Sequence, residues 1–258
     1  MSIDLSPAPG AAPAHRMVLA QSAAEGRALI RNGEQLLLTL IIPLLLLSML
    51  SLEPIVNFGA GISRIDFMTP GIMALAVMST AFTSQAIATG FERRYGVLKR
   101  LGATPLSRVQ LITAKTLTIV AVELVQSALI VLVGLLIGWR PNATWSAIAV
   151  VPLLLLLGTA AFSGLALLMA GTLRAEATLA GANLVYIILL GVGGVVFPLT
   201  KFPAGARPVL ELLPTGALST GLRSVLQQGV AFPVGNTVTL VVWAAAAIIL
   251  AARTFRWE

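Results

Sequence analysis

The chain has 258 residues, of which 57% are apolar and only 10% charged, with a mean hydropathy of +0.95. A soluble domain carries about 25% charged residues, which excludes water as the solvent for most of this chain. The net charge of +7 therefore reads as membrane orientation, because Lys and Arg gather in cytoplasmic loops, and not as a nucleic-acid footprint.

Cysteine is absent and histidine occurs once, at His15. Disulfides, thiol-ligated metals and any multi-histidine centre are thereby excluded.

Residues 1–15, rich in Pro, Ala and Ser, lack a packable face and read as a disordered N-terminal tail. From residue 16 to 31, Met17, Val18, Ala24, Ala28 and Leu29 recur among charges at loosely helical spacing. That pattern predicts a helix lying in the cytoplasmic interface, with Arg16, Arg27 and Arg31 at headgroup level. Six apolar stretches follow, each near the roughly 20 residues a helix needs to cross the hydrocarbon core. They cover residues 35–52, 68–89, 109–137, 146–171, 179–197 and 233–252. Pro43 lies inside the first, tolerated where neighbouring helices serve the freed carbonyl. Gly191, Gly193 and Gly194 weaken the outer end of the fifth. The predicted fold is thus an all-α integral membrane domain of six spans over residues 16–258.

With both termini inside, eleven of the 17 Lys and Arg residues fall on the cytoplasmic side: Arg16, Arg27, Arg31, Arg93, Arg94, Lys99, Arg100, Arg108, Arg174, Arg253 and Arg256. Five fall outside (Arg64, Arg140, Lys201, Arg207, Arg223), and Lys115 sits just within the third span. The asymmetry predicts N-in, C-in. Trp139, Trp145 and Trp257 are placed at span ends, where amphipathic rings settle.

Residues 91–108 join spans two and three. Val97, Leu98 and Leu101 can share one face of a short helix, with Arg93, Arg94, Lys99 and Arg100 turned to water or lipid phosphate. Gly102 ends that helix, and Thr104-Pro105 turns the chain into the next span. On physics alone this is either an ordinary positive-inside loop or a docking rod for a cytosolic partner. The segment resembles the signature of ABC-2 type permeases, particularly the daunorubicin-resistance-like branch, which has the form E-R-x-x-G-x-L-x-x-L-x-x-T-P-L-S before a span with an early lysine. Glu92, Arg93, Gly96, Leu98, Leu101, Thr104, Pro105, Leu106, Ser107 and Lys115 supply it. The resemblance implies a coupling helix, with Arg94, Tyr95 and Lys99 on it, resting in a cleft of a separately encoded ATPase subunit. ATP and magnesium would be bound by that subunit, and no cofactor by this chain.

Residues 197–229 are too proline-rich to span and too apolar for an ordinary loop. Residues 208–213 and 218–226 each suit a short helix, either resting on headgroups or dipping into the outer leaflet. The resemblance favours the re-entrant form, since F-P-L…L-P…G-L-R recurs there between spans five and six. Phe197, Pro198, Leu213, Pro214, Gly221 and Arg223 carry it here.

Three polar side chains fall within the third span. Lys115 is expected to snorkel to the interface. Glu123 lies roughly 12 Å deeper at helical rise, with Gln126 its nearest same-face neighbour; it is either part of a substrate path or a satisfied structural carboxyl. Ala160, Gly164, Ala166, Ala170 and Gly171 place small residues on the fourth span, which permits close helix approach, within the subunit ahead of a dimer seam. Asn142-Ala143-Thr144 matches a glycosylation sequon by chance.

No G-x-x-x-x-G-K-[ST], G-x-S-x-G or H-E-x-x-H occurs, so the chain offers no catalytic constellation and no metal site. The expected function is the permease subunit of a bacterial inner-membrane ABC exporter. It would carry a hydrophobic drug, lipid or glycolipid outward, as in antibiotic efflux, pairing with a second copy or a paralogue amid membrane lipids. An ion-coupled secondary transporter using Glu123 is the rival reading.

Overall fold

The computed structural model describes residues 10–33, 37–52 and 63–254, and every regular element among them is helical. Residues 1–9 of the expected tail, together with Arg256 and Trp257, lie outside the described residues. Helix α1, Ala14–Arg31, takes in Ala14 and His15, two residues earlier than the sequence pattern placed it, because Pro13 supplies a preset turn before it. Helix α2, Ile42–Leu52, is entered through a π-helical turn at Leu37–Ile41. Helix α3 runs unbroken from Arg64 to Arg94, with a π-segment at Met78–Ser84. The short helix α4 is Val97–Gly102, and α5 is Arg108–Ile137. A single turn, α6 at Trp145–Ile148, precedes α7 at Val150–Thr172. Helix α8 is Ala175–Val192, α9 is Arg207–Glu211, α10 is Pro214–Leu226 and α11 is Val234–Thr254.

Five of these helices are long and apolar enough to cross a membrane: α3, α5, α7, α8 and α11. The expected first span is represented, among the described residues, by the apolar stretch Thr39–Leu52. Pro43 lies near its start, has no N–H, and its ring crowds the carbonyl four residues earlier. The chain answers by widening into i→i+5 geometry. The carbonyl at issue, that of Thr39, accepts instead from Gln126 Nε2 on α5. The fifth span also departs from expectation. It begins at Ala175 and stops at Val192, because Gly193 and the left-handed Gly194 (φ 70°) turn the chain out, so residues 193–197 are not helical.

Helix α3 is the axis of the bundle, with 89% of its apolar window buried. Its 31 residues reach about 46 Å at 1.5 Å per residue, well beyond a hydrocarbon core of about 30 Å. Around it stand α2, α5, α7 and α10, with Phe162, Met68, Ile72, Leu75 and Met78 fully buried between them. Lipid tails are as apolar as leucine, so such helices associate through close packing and hydrogen bonds. Gly164 on α7 shows this: a Cβ there would lie 2.7 Å from Ala247 Cβ and 2.9 Å from the α11 backbone. The small-residue face of α7 thus seats α11 within the subunit, as the sequence implied. Gly164→Val is expected to push the two helices apart and cost about 2 kcal/mol, read as a lower thermal midpoint of the purified protein.

Trp139 does not face the lipid interface. It is 4% exposed, its ring packed on Gly134, whereas Trp145 is 89% exposed.

Candidate functional site

The charged segment after α3 folds as a hinge and a rod. Arg93 and Arg94 still belong to α3, so the helix of the second span carries straight on into the charged residues. Gly96 then takes φ 68°, a backbone conformation that costs other residues about 1 kcal/mol, and α4 begins. Helix α4 ends at Gly102, where the sequence placed its stop. Leu98 is fully buried with Leu106, Leu111, Leu167 and Ala251, and Leu101 packs beside them. The opposite face is bare: Tyr95, Lys99, Arg100, Thr104 and Pro105 are exposed. Thr104 closes the turn by donating its hydroxyl to the Leu101 carbonyl at 2.6 Å. Ser107 and Gln110 form a reciprocal capping box that starts α5, satisfying two orphan N–H groups.

Three polar contacts tie this rod to the bundle. Arg93 donates to the Leu173 carbonyl in the α7–α8 turn, and Arg94 pairs with Glu176 at the start of α8. The Arg94–Glu176 pair is largely exposed, so it contributes little on its own. The third contact is buried. Lys115 on α5 is 5% exposed and its Nζ lies 2.7 Å from Glu92 Oε2 and 3.1 Å from Glu25 Oε1. The expectation that Lys115 snorkels to the interface is therefore corrected. An ammonium so placed is held by paired carboxylates, since an unpaired one is too costly away from water. Glu92 comes from the end of α3 and Glu25 from α1, which makes Lys115 the joint of three helices. Ser22 and Gly26 of α1 straddle Thr118 one turn further along α5, with Ser22 Oγ and Thr118 Oγ1 at 2.9 Å.

Glu123 and Gln126, same-face neighbours on α5, bond to different helices. Gln126 is 1% exposed and serves structure: its Nε2 donates to the Thr39 carbonyl and its Oε1 accepts from Thr80 Oγ1 at 3.2 Å. Glu123, 5% exposed, instead accepts from Thr159 Oγ1 on α7 through Oε2, and its Oε1 has no partner.

At the opposite end of the bundle, Pro214 opens α10 at its first turn, where a missing N–H costs nothing. Helix α10 therefore begins four residues before the expected 218, and it is buried along most of its length, while α9 has no buried residue. Arg223 is the fastener. Its Nε donates to the Phe67 carbonyl at 3.1 Å, Nη1 to Gly194 at 2.5 Å and Nη2 to Val195 at 2.9 Å. The guanidinium also stacks 3.6 Å from the Phe67 ring, a cation–π contact. Of the other residues singled out here, Pro198 is buried, Phe197 is exposed and Leu213 half-buried. A Cβ on Gly221 would meet Asn236 of α11 at 3.1 Å. Gly221 thus lets α10 approach α11, where Asn236 Nδ2 donates to the Ala217 carbonyl at 3.1 Å.

Sequence reasoning missed Glu25 and Gln85. Glu25 lies 90 positions from Lys115, so no local spacing joins them. The available signal was the charge rule itself, since a lysine inside a span calls for a carboxylate partner. Among the described residues no group of acidic or histidine side chains could hold a metal ion.

A comparison with curated proteins returns no match. The ABC-2 type transporter family model matches residues 19–227, a stretch that takes in most of α1, the Lys115 joint, α4 and α10. The chain therefore belongs to the ABC-2 type transporter family, as a multi-pass membrane permease subunit of an ABC transporter that associates with an ATPase subunit.

Proposed function

We propose that this permease exports a hydrophobic drug, lipid or glycolipid from the cytoplasm or inner leaflet of a bacterial inner membrane. In this reading α2 is a sixth crossing, both termini are cytoplasmic, α1 lies at the cytoplasmic interface and α10 is re-entrant from the outer side. Two permease copies, or this chain and a paralogue, line one path. The ATPase subunits, which bind the ATP and magnesium, dock on the exposed face of α4. The observation that carries the reading is the Lys115 joint behind that face. A stroke applied to Tyr95, Lys99 and Arg100 cannot be absorbed locally, because Glu92 at the root of the rod is bonded to α5 and, through Lys115, to α1. Rotation of α4 is thereby passed to three helices together. An apolar groove lined by Leu19, Ile30, Val122 and Val125 suits a cargo with a hydrophobic body.

The test is co-purification with the cognate ATPase and measurement of ATP-driven transport in proteoliposomes. Gly96→Pro forbids the left-handed turn, since proline fixes φ near −65°. It is expected to abolish ATP-driven transport while the isolated ATPase keeps its basal hydrolysis. Transport that persists without ATP and collapses with the proton gradient would instead assign the work to Glu123 and overturn the coupling reading.

A further inference from the structure

The cleft between α1, α3 and α5 holds more polar chemistry than the Lys115 joint consumes. Gln85 is 6% exposed, and neither its amide oxygen nor its amide nitrogen has a partner. Thr89, one turn on, is 1% exposed with its hydroxyl likewise unpaired. Buried polar groups are almost always hydrogen-bonded, and an amide buried without partners costs several kcal/mol. Both side chains line a cavity of about 210 Å³ shared with Glu25, Glu92 and Lys115. The π-segment at Met78–Ser84 leads directly into it, and such widened turns recur at functional sites.

Two further features specify what the cavity accepts. The first is charge: two carboxylates face one ammonium, which leaves one unit of negative charge uncompensated. The neighbouring cations are turned elsewhere, Arg93 to the Leu173 carbonyl, Arg94 to Glu176 and Arg27 to the Ala23 carbonyl. The second is continuity. Leu29 and Thr118, which wall this cavity, also wall an apolar groove of about 490 Å³ between α1, the Leu37–Ile41 turn and α5, lined by Leu40, Val122 and Val125. A polar chamber with spare negative charge thus shares a wall with a hydrocarbon-lined groove.

We infer that this cleft binds a cationic amphiphile, its ammonium group among Glu25, Glu92 and Gln85 and its apolar body in the groove beneath α1. The inference rests on the exporter reading for its meaning as a cargo site. The binding itself is independent of transport. Glu25, Glu92 and Lys115 line the cavity together, so an incoming amine completes a balanced set of two anions and two cations. The Gln85 oxygen accepts a further N–H from the same headgroup. A neutral or anionic head of equal chain length gains none of this and meets the excess carboxylate.

The probe is a dodecylamine bearing a photoreactive diazirine near its chain end, added to the complex of the full chain with its ATPase in nanodiscs. Cross-linked positions are mapped by mass spectrometry. Labelling is expected within residues 19–30 and 121–125. Dodecylammonium should displace it about tenfold more effectively than dodecanol or dodecyl sulfate, a difference typical of one charge pair. Glu25→Gln should remove most of that preference. Labelling elsewhere, or equal displacement by all three competitors on the unaltered chain, overturns the inference without reference to any variant's folding. If the amine labels this cleft but no cargo moves with ATP, the exporter reading falls and the site stands. If ATP-driven export is intact and the cleft stays unlabelled, the site falls alone.

Discussion

Lys115→Met should destabilise the permease by about 3 kcal/mol, the cost of breaking a buried ion pair, and disconnect α1 from movements of α4. The substitution leaves Glu25 and Glu92 facing one another without the ammonium that now sits 2.7 and 3.1 Å from them. Stability and coupling separate in a triple variant, Lys115→Met with Glu25→Gln and Glu92→Gln. It removes all three charges and should recover most of the thermal midpoint, because a neutral replacement of a buried ion set is often nearly cost-free. The mechanical link should stay broken. The natural absence of cysteine allows clean spin-labelling of single cysteines placed at Ala20 and Arg100. In the unaltered complex the distance between the labels is expected to change when ATP is added, and in the triple variant it should not. A distance that still responds in the triple variant would reduce the joint to a packing device.

Arg223→Met is the second large effect. Three carbonyls, those of Phe67, Gly194 and Val195, lose their donor together, and the ring of Phe67 loses its cation. Each buried acceptor left unserved costs about 1–3 kcal/mol, so a total of about 4 kcal/mol is expected, with the thermal midpoint lowered by about 10 °C. Arg223→Lys should recover less than half of this. An ammonium is a compact point charge that cannot address three carbonyls in one plane as a guanidinium does. Deuterium exchange should then rise in α10 and in residues 193–197 and remain unchanged around α4. A loss of protection spread evenly over the protein would mean that Arg223 is not a local fastener.

What the sequence revealed divides along the range of the interactions involved. Helix α4 and its stop at Gly102 were legible because amphipathic spacing and a terminating glycine act within one or two turns. The small-residue face of α7 was legible for the same reason, since Gly164 needs close approach whatever approaches it. The partner of the carbonyl that Pro43 frees was not. Pro43 alone says that a carbonyl is freed, and the side chain that serves it, Gln126, is 87 positions away. That same bond explains why Gln126 does not partner Glu123: its amide is already committed to Thr39 and Thr80. Lys115 was misread because a lysine near a helix end has two ways to stay solvated or paired. Choosing between them requires knowing that α1 folds back over α5. Helix α10 was placed late because the leucine pattern at 218–226 outweighed the start signal at Pro214.

The two ends of the molecule are linked by one continuous piece of backbone. Helix α3 is held at its first turn by Arg223, through the Phe67 carbonyl, and at its last by Lys115, through Glu92. Torque entering at the Glu92 end can reach the Arg223 end as twist of a single shaft. The Met78–Ser84 stretch, wound with more residues per turn than its surroundings, is the soft coupling in that shaft. It borders the chamber that Gln85 and Thr89 leave unfilled, so the place where the shaft yields is also the place where cargo would be felt.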